Sequence, residues 1–160
     1  MFTARRHRTA AVAGFALALA ASVTGCSEAP NEAPFIERIQ VWGGNLVEGE
    51  VAPVHVTVLD ADGLDDIVGV RLLYAPDQFW LTSFTAASDG LFTLGITWTE
   101  LADHGVFDGR DGQSVVSVDL MVEAMDNGGN VDRLTFELIA ACPSDTELCD
   151  GTCIPDFEPC

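Results

Sequence analysis

VEAMDNGGNVDRLTFELIA, Val122 to Ala140, is the stretch on which the fold turns. Upstream of its polar centre, Val116, Val118, Leu120, Val122 and Ala124 alternate with Ser117, Asp119, Met121 and Glu123. Downstream, Leu134, Phe136, Leu138 and Ala140 share one parity, with Thr135 and Glu137 on the other. A period of two held this long gives each segment one buried and one solvated face, the pattern of half-buried strands. Between them, Asp126-Asn127-Gly128-Gly129-Asn130 supplies residues that accept positive φ at little cost, so the pair closes as a hairpin.

The same period recurs towards the N-terminus. Phe35 to Trp42 places Ile39 and Val41 on one face and is broken by Gly43-Gly44-Asn45. Ala52 to Asp60 alternates Val54, Val56 and Val58 with His55 and Thr57, and the acidic turn Asp60-Ala61-Asp62-Gly63-Leu64-Asp65-Asp66 follows. Ile67 to Ala75 resumes through Val68, Val70, Leu72 and Tyr74, whereas Gln78 to Phe84 is apolar or aromatic on both faces. After Asp89-Gly90, the residues Phe92, Leu94, Ile96 and Trp98 mark another inward face. Glu100 to Gln113 reads as a long irregular segment, and no segment carries a helical period. Seven short strands punctuated by turns predict an all-β, seven-stranded antiparallel sandwich of immunoglobulin-like order over residues 35–141. No cysteine pair lies inside it, so packing alone must hold it.

The segments VTVLDADGLDDIVGVRL, DGLFTLGITW and VEAMDNGGNV resemble the bacterial immunoglobulin-like and fibronectin type III-like modules of surface proteins. The likeness spans Pro34 to Ala141 and rests on an Asp-x-x-Gly turn after the second strand and an Asp-Asn-x-Gly-Asn turn in the last hairpin. It implies the fold, and a role among spacers, adhesins and carbohydrate binders. The Glu100–Gln113 insertion departs from it.

Residues 1–25 read as an export signal. Met1 to Arg8 is basic, Val12 to Val23 is apolar but too short for a comfortable membrane span, and small residues close it. Val23-Thr24-Gly25-Cys26 resembles a bacterial lipobox, which implies cleavage before Cys26 and acylation of that cysteine, palmitate included. Residues 26–34, with two prolines, then form a polar tether. Ser27 after the cysteine is compatible with sorting to the outer membrane. Removal of 25 of the 160 residues takes Arg5, Arg6 and Arg8 with it. Arg38, Arg71, Arg110 and Arg133 then stand against 25 acidic residues with no lysine, a formal charge of −21. Such a surface repels phosphate backbones and excludes nucleic-acid partners. Adaptation to a salty habitat would also produce it.

Cys142, Cys149, Cys153 and Cys160 fall within the last nineteen residues, 142–160, in a loop-rich tail. In an exported chain this argues for two disulfides rather than a four-thiolate zinc site, whose cysteines usually come as closely spaced knuckles. Four cysteines allow three pairings. The interlaced one, Cys142–Cys153 with Cys149–Cys160, is favoured because it fixes a segment expected to have no core of its own.

Catalysis finds no footing in the sequence. His55 falls on a solvated strand face, His104 in an Asp/Gly loop, and no nucleophile elbow or phosphate-binding glycine loop is present. The expected role is surface display or protein interaction, as adhesin or spacer, with carbohydrate binding as the alternative. For that alternative Trp80 is the candidate, being out of phase with Phe79 and Leu81, while Trp98 shares the core parity. A cofactor is not expected, calcium excepted. The turns Asp60–Asp66, Asp89-Gly90 and Asp126–Asp132 gather at one end of an immunoglobulin-like sandwich. Hard calcium takes six to eight oxygens of the kind those turns carry, and Asp60, Asp62 and Asp126 are the expected ligands. Tight turns use Asp, Asn and Gly for their own reasons as well.

Overall fold

The structure is a computed structural model describing Phe2–Arg5, by backbone alone, and residues 31–160. The apolar part of the expected export signal, Cys26 as the expected lipidation site, and the first residues of the expected tether lie outside the described residues. The elements are β1 (Phe2–Arg5), β2 (Phe35–Val41), β3 (Asn45–Val47), β4 (Val51–Leu59), β5 (Ile67–Tyr74), β6 (Phe79–Ser83), β7 (Thr85–Ser88), β8 (Leu91–Thr97), α1 (Trp98–Asp103), β9 (Val115–Asp126), β10 (Val131–Ala141), β11 (Thr146–Cys149) and β12 (Thr152–Pro155). One sheet runs β1-β2-β4-β8-β7, a second β3-β10-β9-β5-β6, and β11 pairs with β12. Pairing is antiparallel throughout except for β3 on β10.

The β9–β10 hairpin adopts the register that its alternation demands, with Val122 opposite Leu134, Leu120 opposite Phe136 and Val118 opposite Leu138. These residues meet Ile36, Ile39, Val54, Val56, Val58 and Ile96 of the first sheet in one apolar cluster. Each aliphatic side chain fully buried there contributes about 1.5–3 kcal/mol, and this is the term that holds the two sheets together.

Nine strands, rather than seven, come from residues 35–141. Two glycines with positive φ, Gly43 (95°) and Gly44 (84°), let the chain leave the first sheet after β2 and re-enter as β3 in the second. There β3 buries Leu46, and at three residues it is too short to show a period. The segment Gln78 to Phe84 was apolar on both faces because the chain changes sheets at its end. β6 closes the second sheet, Phe84 crosses as a core residue, and the wholly exposed β7 edges the first.

One further expectation is corrected. The segment Glu100–Gln113, read as irregular, begins inside a helix, α1, whose N-cap Thr97 accepts from the Glu100 backbone N–H at 3.3 Å. Phe2–Arg5 pairs antiparallel with β2.

The tail packs against the sandwich core. Leu148 is fully buried in the main cluster, with Cys142 and Cys153 packed against it. The Leu148 N–H donates to the Gln113 carbonyl at 3.0 Å, and the Leu148 carbonyl accepts from the Gly112 N–H at 2.8 Å. The bridges are Cys142–Cys153 and Cys149–Cys160, the interlaced pairing. Because β4 and β9 run in the same direction, one pole of the fold carries residues 59–66 and 126–131. The other carries α1, the loop after it and the stapled tail.

Candidate functional site

At the first pole the three polar turns do converge. The Asn127 N–H donates to the Asp66 carbonyl, and the Asn127 side-chain amide donates to Asp66 Oδ1, both at 2.9 Å. The Val58 N–H donates to the Gly90 carbonyl at 2.8 Å, which seats the Asp89-Gly90 turn against the end of β4. A depression of about 330 Å³ lies beside it, lined by Leu64, Asp65, Ser88, Asp89 and Phe92 among others.

Within this pole Asp60, Asp62 and Asp66 each bring a carboxylate oxygen to within 4.8 Å of the others. One oxygen of each carboxylate is already committed. Asp60 Oδ1 accepts from the Asp62 N–H at 2.9 Å, Asp62 Oδ2 from the Glu32 N–H at 2.6 Å, and Asp66 Oδ1 from the Asn127 amide. The remaining oxygens of Asp60 and Asp66, both Oδ2, are buried and have no hydrogen-bond partner. A buried carboxylate oxygen without a donor is costly, and an ion is one of the few things that resolves it. Ligands on opposite sides of a calcium ion are about 4.6–5.2 Å apart, so a cluster of this size suits one such cation.

The structure thus brings Asp60 and Asp62 together with Asp66, and Asp126 is not among them. It is 1 % exposed and accepts from the Asn130 N–H at 2.7 Å, the Asn130 amide at 2.8 Å and the Asn31 amide at 3.2 Å. It organises its own turn and ties the tether to it. Asp66 is the third member of the cluster, and its spacing from Asp60 and Asp62 within a single turn is legible in the sequence.

The tether itself is seated here. Besides the Asn31 and Glu32 contacts, the Ile36 N–H donates to Asp132 Oδ2 at 2.9 Å. A Cβ at Gly128 would meet the Asn31 amide, which would have to shift.

The tryptophans divide as follows. Trp98 is 4 % exposed, stacks on Phe107 with ring centroids 4.5 Å apart, and donates its indole N–H to the Gly151 carbonyl at 2.7 Å. Trp42 lies half-open beside His55. Trp80 is 60 % exposed on the edge strand β6. His104 packs its ring against Phe79.

No family model matches the chain, and no curated protein matches it in sequence. Among solved structures it is similar to the PKD1 domain of Vibrio anguillarum Epp, at 13% identity and a TM-score of 0.39, over 71% of this chain and 99% of that one.

Proposed function

We propose that this chain is a lipid-anchored module of the bacterial cell envelope, an immunoglobulin-like β-sandwich that serves display or protein interaction rather than catalysis. The observation that carries this reading is the polarity of the fold. Residues 31–36 enter at the acidic pole, and the stapled tail closes the opposite pole. Acyl chains on Cys26, five residues before Asn31, would hold the acidic pole within about 17 Å of a bilayer and turn the stapled pole outward. Interlaced disulfides favour an oxidising compartment, as export to the envelope requires. Cleavage before Cys26 would also take away β1 and leave β2 as a sheet edge.

In this reading calcium at Asp60, Asp62 and Asp66 stiffens the acidic pole, because it neutralises carboxylates that also hold Glu32 and Asn127 in place. Two measurements test the proposal. In envelope fractions the protein should partition with membranes, and Cys26→Ala should release it or stall its processing. Wild-type protein recovered soluble and unacylated refutes the anchor. For the cation, chelator-stripped protein should melt higher in millimolar calcium. A ligand at a hundred times its dissociation constant adds about 2.7 kcal/mol. Asp60→Asn with Asp66→Asn should abolish the rise, and an unchanged wild-type midpoint ends the calcium assignment.

A further inference from the structure

The outer face of the second sheet carries a surface remote in character from the acidic pole. Cross-strand register aligns Trp80 with Leu73, Leu73 with Met121, and Met121 with Thr135, in one row across β6, β5, β9 and β10. The parity of Leu73 and Met121 turns them away from the core residues Leu72 and Val122. Yet each is only 7 % exposed, so neighbouring side chains cover both and the row is open to solvent at its ends, Trp80 and Thr135. Strands spaced about 4.8 Å apart make the row roughly 14 Å long.

Beside it runs a second row, Ser83, Arg71, Glu123 and Arg133. Half of the four arginines that follow Cys26 thus share one row, on a chain whose net charge is −18 even with its N-terminal arginines counted. Glu123, 8 % exposed, takes two bonds from Arg133, at 2.8 Å from Nε and 2.6 Å from Nη2. Its charge is thereby matched. Arg71 stands opposite the same carboxylate in register, is exposed, and makes no ion pair or side-chain hydrogen bond among the described residues. The row therefore carries one uncompensated guanidinium next to an exposed indole.

We propose that Trp80 and Arg71 bind an acidic glycan, a short oligosaccharide bearing a uronic acid. A sugar ring presents a flat C–H face that stacks on an exposed indole. A guanidinium pairs with a carboxylate through two parallel N–H bonds. The surrounding negative charge repels a densely charged polyanion, so the acid group must be sparse and must fall at Arg71. This goes beyond the display or protein-interaction role proposed above by adding a ligand class. It does not depend on the anchor, because binding is read on purified protein without membranes.

The experiment uses the purified full chain and a trisaccharide of neutral sugars ended by one glucuronic acid, with its carboxyl-reduced counterpart as control. Calorimetry should show saturable binding of the acidic probe. Trp80→Ala and Arg71→Gln should each weaken it about tenfold or more, Trp80→Phe should retain most of it, and the reduced probe should bind about tenfold more weakly. Trp80 is mostly exposed, so an unchanged thermal midpoint will show that its variants are folded. Absence of saturable binding by the wild type overturns the proposal, as does wild-type affinity in Trp80→Ala. Equal affinity for the reduced probe overturns the assignment of Arg71 to a carboxylate.

Discussion

Opening the two tail disulfides should destabilise the whole domain, not only the last nineteen residues. Each bridge joins cysteines 11 residues apart. Loop-closure entropy for that length corresponds to about 2.8 kcal/mol per bridge at 25 °C. The two loops overlap, so opening both frees one segment rather than two independent ones, and the sum falls to about 3–5 kcal/mol. That loss reaches the core because of what the tail holds. Leu148 is fully buried in the main cluster, and the Trp98 indole has its partner in the Gly151 carbonyl. A released tail uncovers the first and leaves the second without an acceptor. Against a total stability of about 5–15 kcal/mol, the expected fall in melting midpoint is roughly 10–20 °C.

The assay is thermal unfolding followed by near-ultraviolet circular dichroism, in which the packed Trp98–Phe107 pair supplies a tertiary signal, with and without a phosphine reductant. Leu148→Ala in the oxidised protein is the companion measurement. It keeps the bridges and removes only packing, for an expected loss of about 3 kcal/mol. Equal midpoints for oxidised and reduced protein, with Leu148→Ala also silent, would show that the tail is an independent unit and refute the reasoning.

Three further changes have expected outcomes, each read from chemical denaturation of the oxidised protein. Gly90→Ala should cost about 1–3 kcal/mol, since φ is 69° there and a Cβ would stand 2.7 Å from the Val58 carbonyl oxygen; wild-type stability would disprove that close approach. Arg133→Ala should cost about 1–2 kcal/mol, less than a fully buried pair because the Arg133 side chain is 48% exposed. Adding Glu123→Gln should recover part of it, and a further loss instead would count against the pair. Thr97→Ala should cost about 1 kcal/mol through the lost cap of α1, and no change would mean that packing of Trp98 and Leu101 alone starts the helix.

The long strands were legible because their inward residues are aliphatic at strict alternate positions, as in Val54-x-Val56-x-Val58 and throughout β9. Legibility failed where an element is too short to display a period or where the backbone breaks it. Ile36 and Ile39 are both buried although three residues apart, because a register shift between Ile36 and Arg38 inserts an extra residue. The helix α1 had no period to show over six residues. Its capping box, Thr97-Trp98-Thr99-Glu100, was nevertheless present in the sequence, and it is the local signal that identifies a helix start without periodicity. The tail misled for a different reason. Its cysteines announced a self-contained staple, and only the burial of one residue, Leu148, reveals that the staple also closes the core.

The acidic pole separates what turn chemistry can reveal from what it cannot. That its turns gather at one end follows from topology, and topology follows from the strand pattern. Which carboxylates are left for a cation depends on which are spent on hydrogen bonds, and those partners come from distant parts of the chain. Asp126 is spent on Asn130 and on Asn31, 95 residues away. Asp66 keeps one oxygen free because Asn127 occupies only the other. The tether that supplies Asn31 and Glu32 therefore helps to define the ligand set. Truncating the chain after the tether, at Pro34, would free Asp62 Oδ2, whereas Asp126 Oδ2 would keep the Asn130 amide. Calcium affinity measured on such a fragment would accordingly differ from that of the intact chain, in which the Glu32 N–H occupies one oxygen of Asp62.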